Sequence, residues 1–283
     1  MAQRINRFAE ITPGYDVVLC DVWGVLHNGI DAFGEASDAL IAAREAGASV
    51  VLITNSPRPT PGVIAQLRMI GVSDTAYDRV VTSGDVTRRL ISEGPRKIFL
   101  LGPDRDLPLL DGLAVERVGA DEAESVVCSG FFNDEVETPA DYRDMLAGFV
   151  ARGVPMICAN PDLVVERGSR MIPCAGALAQ LFETLGGETR IAGKPYQPIY
   201  DAALAIAAEV RGGPVDPARV IAIGDGITTD VRGALNRELD LLYISGGVHA
   251  GEYLQDGRIN EAMLHAFLAN HDAHARFWMP RLA

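Results

Sequence analysis

Residues 16–26 read DVVLCDVWGVL. A continuous apolar run this short, closed by an aspartate and a glycine, predicts a strand covered on both faces that ends in a loop at Asp21. The stretches that follow extend the pattern. Residues 33–48, FGEASDALIAAREAGA, read as an amphipathic helix ending near Gly47. Residues 48–56, ASVVLITNS, form the next strand, and residues 61–72, PGVIAQLRMIGV, a helix with proline at its start and Gly71 at its end. This alternation predicts a parallel sheet flanked by helices.

The same pattern returns near the other end of the chain. PIYDAALAIAAEV (198–210) reads as a helix, ARVIAIGDG (218–226) as a strand, TTDVRGALNREL (228–239) as a helix, and DLLYISGGV (240–248) as the final strand. Between the halves lie KIFLLG, ESVVCSGFF, PADYRDMLAGFVARG, VPMICANPD and CAGALAQLFETLGG, enough strands and helices to bury a separate small core. The expected fold is α/β: a Rossmann-like, doubly wound parallel-sheet core over 1–84 and 188–283, interrupted by an inserted α/β cap domain over 85–187. With 283 residues, two domains are more comfortable than one.

Composition narrows the function classes. The formal net charge of −13 offers no basic footprint for nucleic acid. No stretch approaches a membrane span, and the first residues lack a signal-peptide apolar run, which predicts a cytoplasmic protein. Cys20, Cys128, Cys158 and Cys174 are widely spaced and read as buried thiols rather than a disulfide or zinc framework.

In parallel α/β sheets the ligand crevice lies outside the carboxyl ends of the strands. Asp21, then Thr54-Asn55-Ser56, and Asp225 with Asp230 five residues on, all follow apolar strands; Lys194, in IAGKPYQP, precedes a helix. One such aspartate is commonly a helix cap. Together they supply hard oxygen ligands, a cation, a hydroxyl donor and a nucleophile. Lys194 is one of only two lysines, the other being Lys97.

These residues, Asp21-Val22-Trp23-Gly24-Val25-Leu26, Thr54-Asn55, Gly193-Lys194-Pro195 and Gly224-Asp225-Gly226 with Asp230, resemble the four ordered motifs of haloacid dehalogenase-like hydrolases. Only 33 residues separate Asp21 from Thr54, whereas 140 separate Thr54 from Lys194. That spacing resembles class IIA, the group of N-acetylglucosamine-operon and p-nitrophenyl phosphatases with a large α/β cap. The resemblance implies Asp21 as a nucleophile forming an aspartyl-phosphate, with Mg²⁺ held by Asp21, Asp225, Asp230 and the backbone carbonyl of Trp23. It implies Thr54 as a hydrogen-bond donor to phosphate and Lys194 as the phosphate's cation. Asn55, Ser56, Asn160 and Asp162 are implied substrate contacts, the last two in an Asn-Pro-Asp run that is also a common turn sequence. The expected partner is a small phosphorylated metabolite, and a cap surface leaves room for a homodimer.

One departure matters. Family phosphatases carry a second aspartate two residues after the nucleophile, which protonates the leaving oxygen and then activates water. Here that position is Trp23. Indole N–H donates a hydrogen bond but cannot shuttle a proton near neutral pH. Three readings stay open: a phosphatase in which another group, His27 being the nearest candidate, substitutes or which prefers good leaving groups; an inactive or weakly active phosphate-ligand binding protein; and phosphotransfer to an acceptor other than water.

Overall fold

The computed structural model describes residues 2–167 and 170–283. By its contacts the chain divides into two compact units, Met1–Thr54 with Ile64–Val81 and Tyr200–Ala283, and Asn55–Val63 with Thr82–Ile199.

The first unit is built on a seven-stranded sheet in the order Gln3–Arg4, Phe277–Met279, Asp240–Ile244, Val220–Gly224, Val17–Cys20, Ser49–Thr54, Arg79–Thr82. The pairings from Gln3–Arg4 across to Ser49–Thr54 are all parallel. From Val17–Cys20 the chain winds first to one side, through Ser49–Thr54 and Arg79–Thr82, and later to the other, through Val220–Gly224 and Asp240–Ile244. That is the doubly wound arrangement expected from the sequence. Val17, Val18, Leu19 and Cys20 have no exposed surface, as a strand covered on both faces requires.

Two short strands at one edge of this sheet went unforeseen. Asp240–Ile244 is not the last strand: Phe277–Met279 pairs with it in parallel and in turn takes Gln3–Arg4 on its outer side. Both added strands are only two or three residues long, too short to show a period of two.

The second unit has its own five-stranded sheet, in the order Thr189–Ile191, Met156–Cys158, Ser125–Cys128, Lys97–Leu101, Glu116–Arg117, parallel throughout. Its side chains alternate between two buried layers. Val126, Cys128, Met156 and Cys158 join Phe149, Phe182 and Leu178 on one face, while Val127 and Ile157 join Ile91, Ile98 and Leu109 on the other. An antiparallel hairpin, Val164–Arg167 with Arg170–Pro173, completes the unit. All four cysteines are free and buried. No helix among the described residues is long and apolar enough to cross a membrane.

Candidate active site

The first unit reverses its winding between Val17–Cys20 and Val220–Gly224, so the loops leaving these two strands open the crevice where such folds bind ligands. Those loops carry Asp21 and Asp225. The Asp21 N–H donates to the Ile223 carbonyl at 2.8 Å, which ties the end of one strand to its neighbour. Past Asp225 the chain enters a wide helical turn, Ile227–Val231, before the helix Arg232–Asn236. That turn brings Asp230 back, and its Oδ2 accepts from the Gly226 N–H at 3.1 Å.

Asp21, Asp225 and Asp230 are each at most 6% exposed, and each places a carboxylate oxygen within 4.8 Å of the others. Three ionised carboxylates so close repel one another by roughly 3 kcal/mol per pair even at an effective dielectric constant near 20. A divalent cation relieves that repulsion, and an all-oxygen donor set suits Mg²⁺. The residues therefore fit the metal expected from the sequence.

Asp225 has little freedom. Its Oδ2 accepts from the Val248 N–H at 2.8 Å. A Cβ on Gly247 would come within 1.9 Å of that same oxygen, and one on Gly24, which also has φ of +84°, within 2.3 Å. Gly247→Ala is thus expected to push Asp225 out of place and weaken Mg²⁺ binding by about 10–100-fold. Following the thermal midpoint during a Mg²⁺ titration measures this, and an unchanged titration would show that the close approach does not matter.

The segment after Asp21 closes on itself. The Gly24 N–H donates to the His27 carbonyl at 2.8 Å, and the Leu26 N–H to the Val22 carbonyl at 2.8 Å. The Trp23 ring lies edge-on to His27, centroids 5.0 Å apart. It also packs on Gly29, where a Cβ would meet the indole at 2.5 Å. His27 is 2% exposed, and its Nδ1 accepts from the Gly29 N–H at 2.9 Å. That bond fixes the neutral tautomer with the proton on Nε2. Burial pushes the imidazole down to about 4. His27 is therefore neutral near pH 7 and holds no acidic proton to give a leaving group.

The same burial has a consequence for stability. Between the ordinary histidine value of 6.5 and about 4, the unfolded chain binds a proton at His27 that the folded chain does not. Stability should fall by about 3 kcal/mol as pH drops through that window and level off below it. Urea unfolding midpoints at successive pH values test this: His27→Gln should flatten the slope, and a slope that persists would assign it elsewhere.

The second unit gathers a different set. Asn55 and Lys194 are 4% and 2% exposed. The Lys194 N–H donates to Asn55 Oδ1 at 2.7 Å, while Asn55 Nδ2 donates to the Lys194 carbonyl at 3.3 Å and to Asp162 Oδ1 at 2.8 Å. Asn160 Oδ1 accepts from the Asp162 N–H at 3.0 Å. Gly193 admits this approach, since a Cβ there would lie 2.5 Å from Asn55 Oδ1. The Asn55 side chain thus replaces a strand neighbour for the backbone of Lys194, a role not visible in the sequence. Thr54, 7% exposed, ends its strand in the first unit, and Ser56 follows Asn55 half-buried in the second.

Known proteins agree with this architecture. The profile of the family described as haloacid dehalogenase-like hydrolase matches residues 18–116, and an HAD-hydrolase-like profile matches 191–273. The crystal structure of a haloacid dehalogenase-like family hydrolase from Brucella suis 1330 is 52% identical, covers 99% of this chain and all of its own, and superposes with a TM-score of 0.89. An acid sugar phosphatase of Staphylococcus aureus (strain USA300) is 27% identical over 251 residues, 87% of this chain and 92% of its own. The fold is also that of the p-nitrophenyl phosphatase from Archaeoglobus fulgidus, with a TM-score of 0.72 at 22% identity, covering 94% of this chain and 96% of that one. With the motif residues in this order and two parallel-sheet α/β units in the chain, it belongs to the haloacid dehalogenase-like hydrolases and shares the fold of their class IIA members.

Proposed function

We propose that this protein is a Mg²⁺-dependent phosphatase that works through an aspartyl-phosphate on Asp21 and favours small phosphate esters whose leaving group departs without being protonated. The observation that carries the reading is the cluster of Asp21, Asp225 and Asp230, three buried carboxylates within 4.8 Å at the switch point of the sheet. Bound Mg²⁺ would neutralise the nucleophile and the phosphate, which otherwise repel. Asp225 and Asp230 hold it, with the Trp23 carbonyl as a further oxygen. In the first step an Asp21 carboxylate oxygen bonds to phosphorus and the bond to the leaving oxygen breaks, its electron pair leaving with the alcohol. In the second, water bonds to phosphorus, the bond to the Asp21 oxygen breaks, and the water proton passes to phosphate or solvent.

Within this reading Thr54 donates to a phosphoryl oxygen and Lys194 carries the phosphate's countercharge. Asn55 keeps the Lys194 backbone in place, Ser56 adds a donor, and Asn160 and Asp162 contribute to the substrate's surroundings. The functional division is a core of 1–84 and 188–283 with a cap of 85–187. The acid sugar phosphatase relative supports a small phosphorylated metabolite as substrate. Neither nucleic acid nor a membrane enters this account.

The preference for leaving groups follows from Trp23 and His27. Neither supplies a proton: the indole N–H is far too weak an acid, and His27 is buried, neutral and bonded through Nδ1. Aryl and acyl phosphates need no such help, whereas alkyl phosphates do. Release of phosphate from a panel spanning both groups, with and without Mg²⁺, tests the proposal. Mg²⁺-dependent release that is faster from aryl and acyl phosphates supports it. Tight Mg²⁺-dependent binding of phosphate with no release from any ester favours the alternative, a weakly active or inactive phosphate-ligand binding protein.

A further inference from the structure

The sheet of the second unit also reverses direction. After Lys97–Leu101 the chain passes to Glu116–Arg117 on one side, then returns to Ser125–Cys128 on the other and continues outward. Its own switch point therefore lies between the loops leaving Lys97–Leu101 and Ser125–Cys128, and switch points are where parallel sheets open a crevice.

Those loops meet around one carboxylate. Arg105, from the first loop, donates from Nη2 to Asp134 Oδ2, in the second, at 2.5 Å. Arg167, at the end of a hairpin strand, donates to both oxygens of the same group, Nη1 to Oδ1 at 3.2 Å and Nη2 to Oδ2 at 2.9 Å. The Asp134 side chain is 9% exposed, but those of Arg105 and Arg167 are 47% and 39% exposed. Burial works to raise the Asp134 carboxyl, yet the hydrogen bonds from Arg167 and Arg105 prevail and hold it ionised, below its usual range.

One anion between two cations leaves a surplus positive charge. A structural tie between the hairpin and the loop would need a single guanidinium. Here one carboxylate fixes two planar forks that are both partly exposed, and a guanidinium fork matches carboxylate or phosphate oxygens. Further arginines and acids lie around it. Arg58 acts with Arg105 on Asp106, 4% exposed, whose carboxyl burial pushes up toward its neutral form. Arg170 donates to the Glu135 carbonyl at 3.3 Å, and the Glu135 carboxylate is the further acid acting on Arg167. Four arginines so grouped stand against a chain of net charge −13.

We propose that Arg105 and Arg167, held in place by Asp134, form an anion-binding site that takes the carboxylate or phosphate group of a small metabolite. The site stands independently of the chemistry assigned to Asp21.

Titration calorimetry of the full chain without Mg²⁺, using succinate and inorganic phosphate as probes, tests it. Saturable binding is expected, weakened roughly tenfold or more by Arg105→Gln and by Arg167→Gln and less by Arg105→Lys, which keeps the charge but loses the fork. Arg96→Gln, on the exposed end of another loop, should leave it unchanged. Thermal melts of the same variants check that they fold. Absence of saturable binding in the parent protein, or affinities that do not differ between parent and Arg105→Gln, would overturn the proposal. So would a lower melting temperature in Arg167→Gln with binding intact, since that describes a purely structural tie. The source of the anion is read separately from the effect of succinate on ester turnover. Competition with the ester assigns the site to an acidic group of the substrate itself, and binding that leaves KM unchanged assigns it to a separate effector; both outcomes support an anion site.

Discussion

Trp23→Asp is expected to raise the turnover of alkyl phosphates by about 10²–10⁴-fold, the usual worth of general acid–base catalysis. The parent chain has no group in the Asp21 turn able to protonate a leaving alkoxide, because His27 is neutral and buried. A carboxyl at position 23 would restore a proton donor for the first step and a base for the second. Hydrolysis of p-nitrophenyl phosphate should rise much less, since its leaving group departs as an anion unaided. Trp23→Asn is the control, as it removes the same ring from Gly29 and His27 without adding a titratable group. Both variants should melt at a lower temperature than the parent, and only the aspartate should gain activity. Equal rates for the two would show that position 23 does not limit the reaction.

Asp21→Asn is expected to lower phosphate release by at least ~10⁴-fold for every ester, because the bond to phosphorus is made by the carboxylate that the amide replaces. The substitution also removes one of three clustered negative charges, so Mg²⁺ affinity should drop as well. Comparing rates at saturating Mg²⁺ separates the two effects. Recovery of activity at high Mg²⁺ would make Asp21 a metal ligand only, whereas loss at every concentration makes it the nucleophile. Asp21→Glu keeps the charge but moves the oxygens by a methylene, and should fail for reasons of position.

The central strands were legible because burial on both faces forces unbroken apolar runs. VVLC and VIAIG could hardly be anything else, and the aspartates that close them lie at the switch point for topological reasons. What escaped reading was set by partners distant in sequence. Asn55 reads as a polar residue after a strand, and only its approach to a segment 139 residues away shows that it clasps the Lys194 backbone. His27 reads as a candidate acid because its residue type permits proton transfer; burial and a bond from the Gly29 N–H remove that capacity. Arg105 and Asp134 each look like ordinary loop charges, while Arg167 reads as one of several candidate cap contacts. The sheet order that brings them together cannot be inferred from periodicity, which identifies strands without saying which are neighbours.

The most direct test of the account is acid quenching of the parent chain during turnover of p-nitrophenyl phosphate, followed by peptide mass spectrometry. With Mg²⁺ present, the peptide containing Asp21 should carry one phosphoryl group. Without a base for the second step, that intermediate should accumulate, and it should be absent when Mg²⁺ is withheld or Asp21 is replaced by Asn. Phosphate release with an unmodified Asp21 peptide, or with the phosphoryl group on another residue, would contradict the assignment of Asp21 as nucleophile.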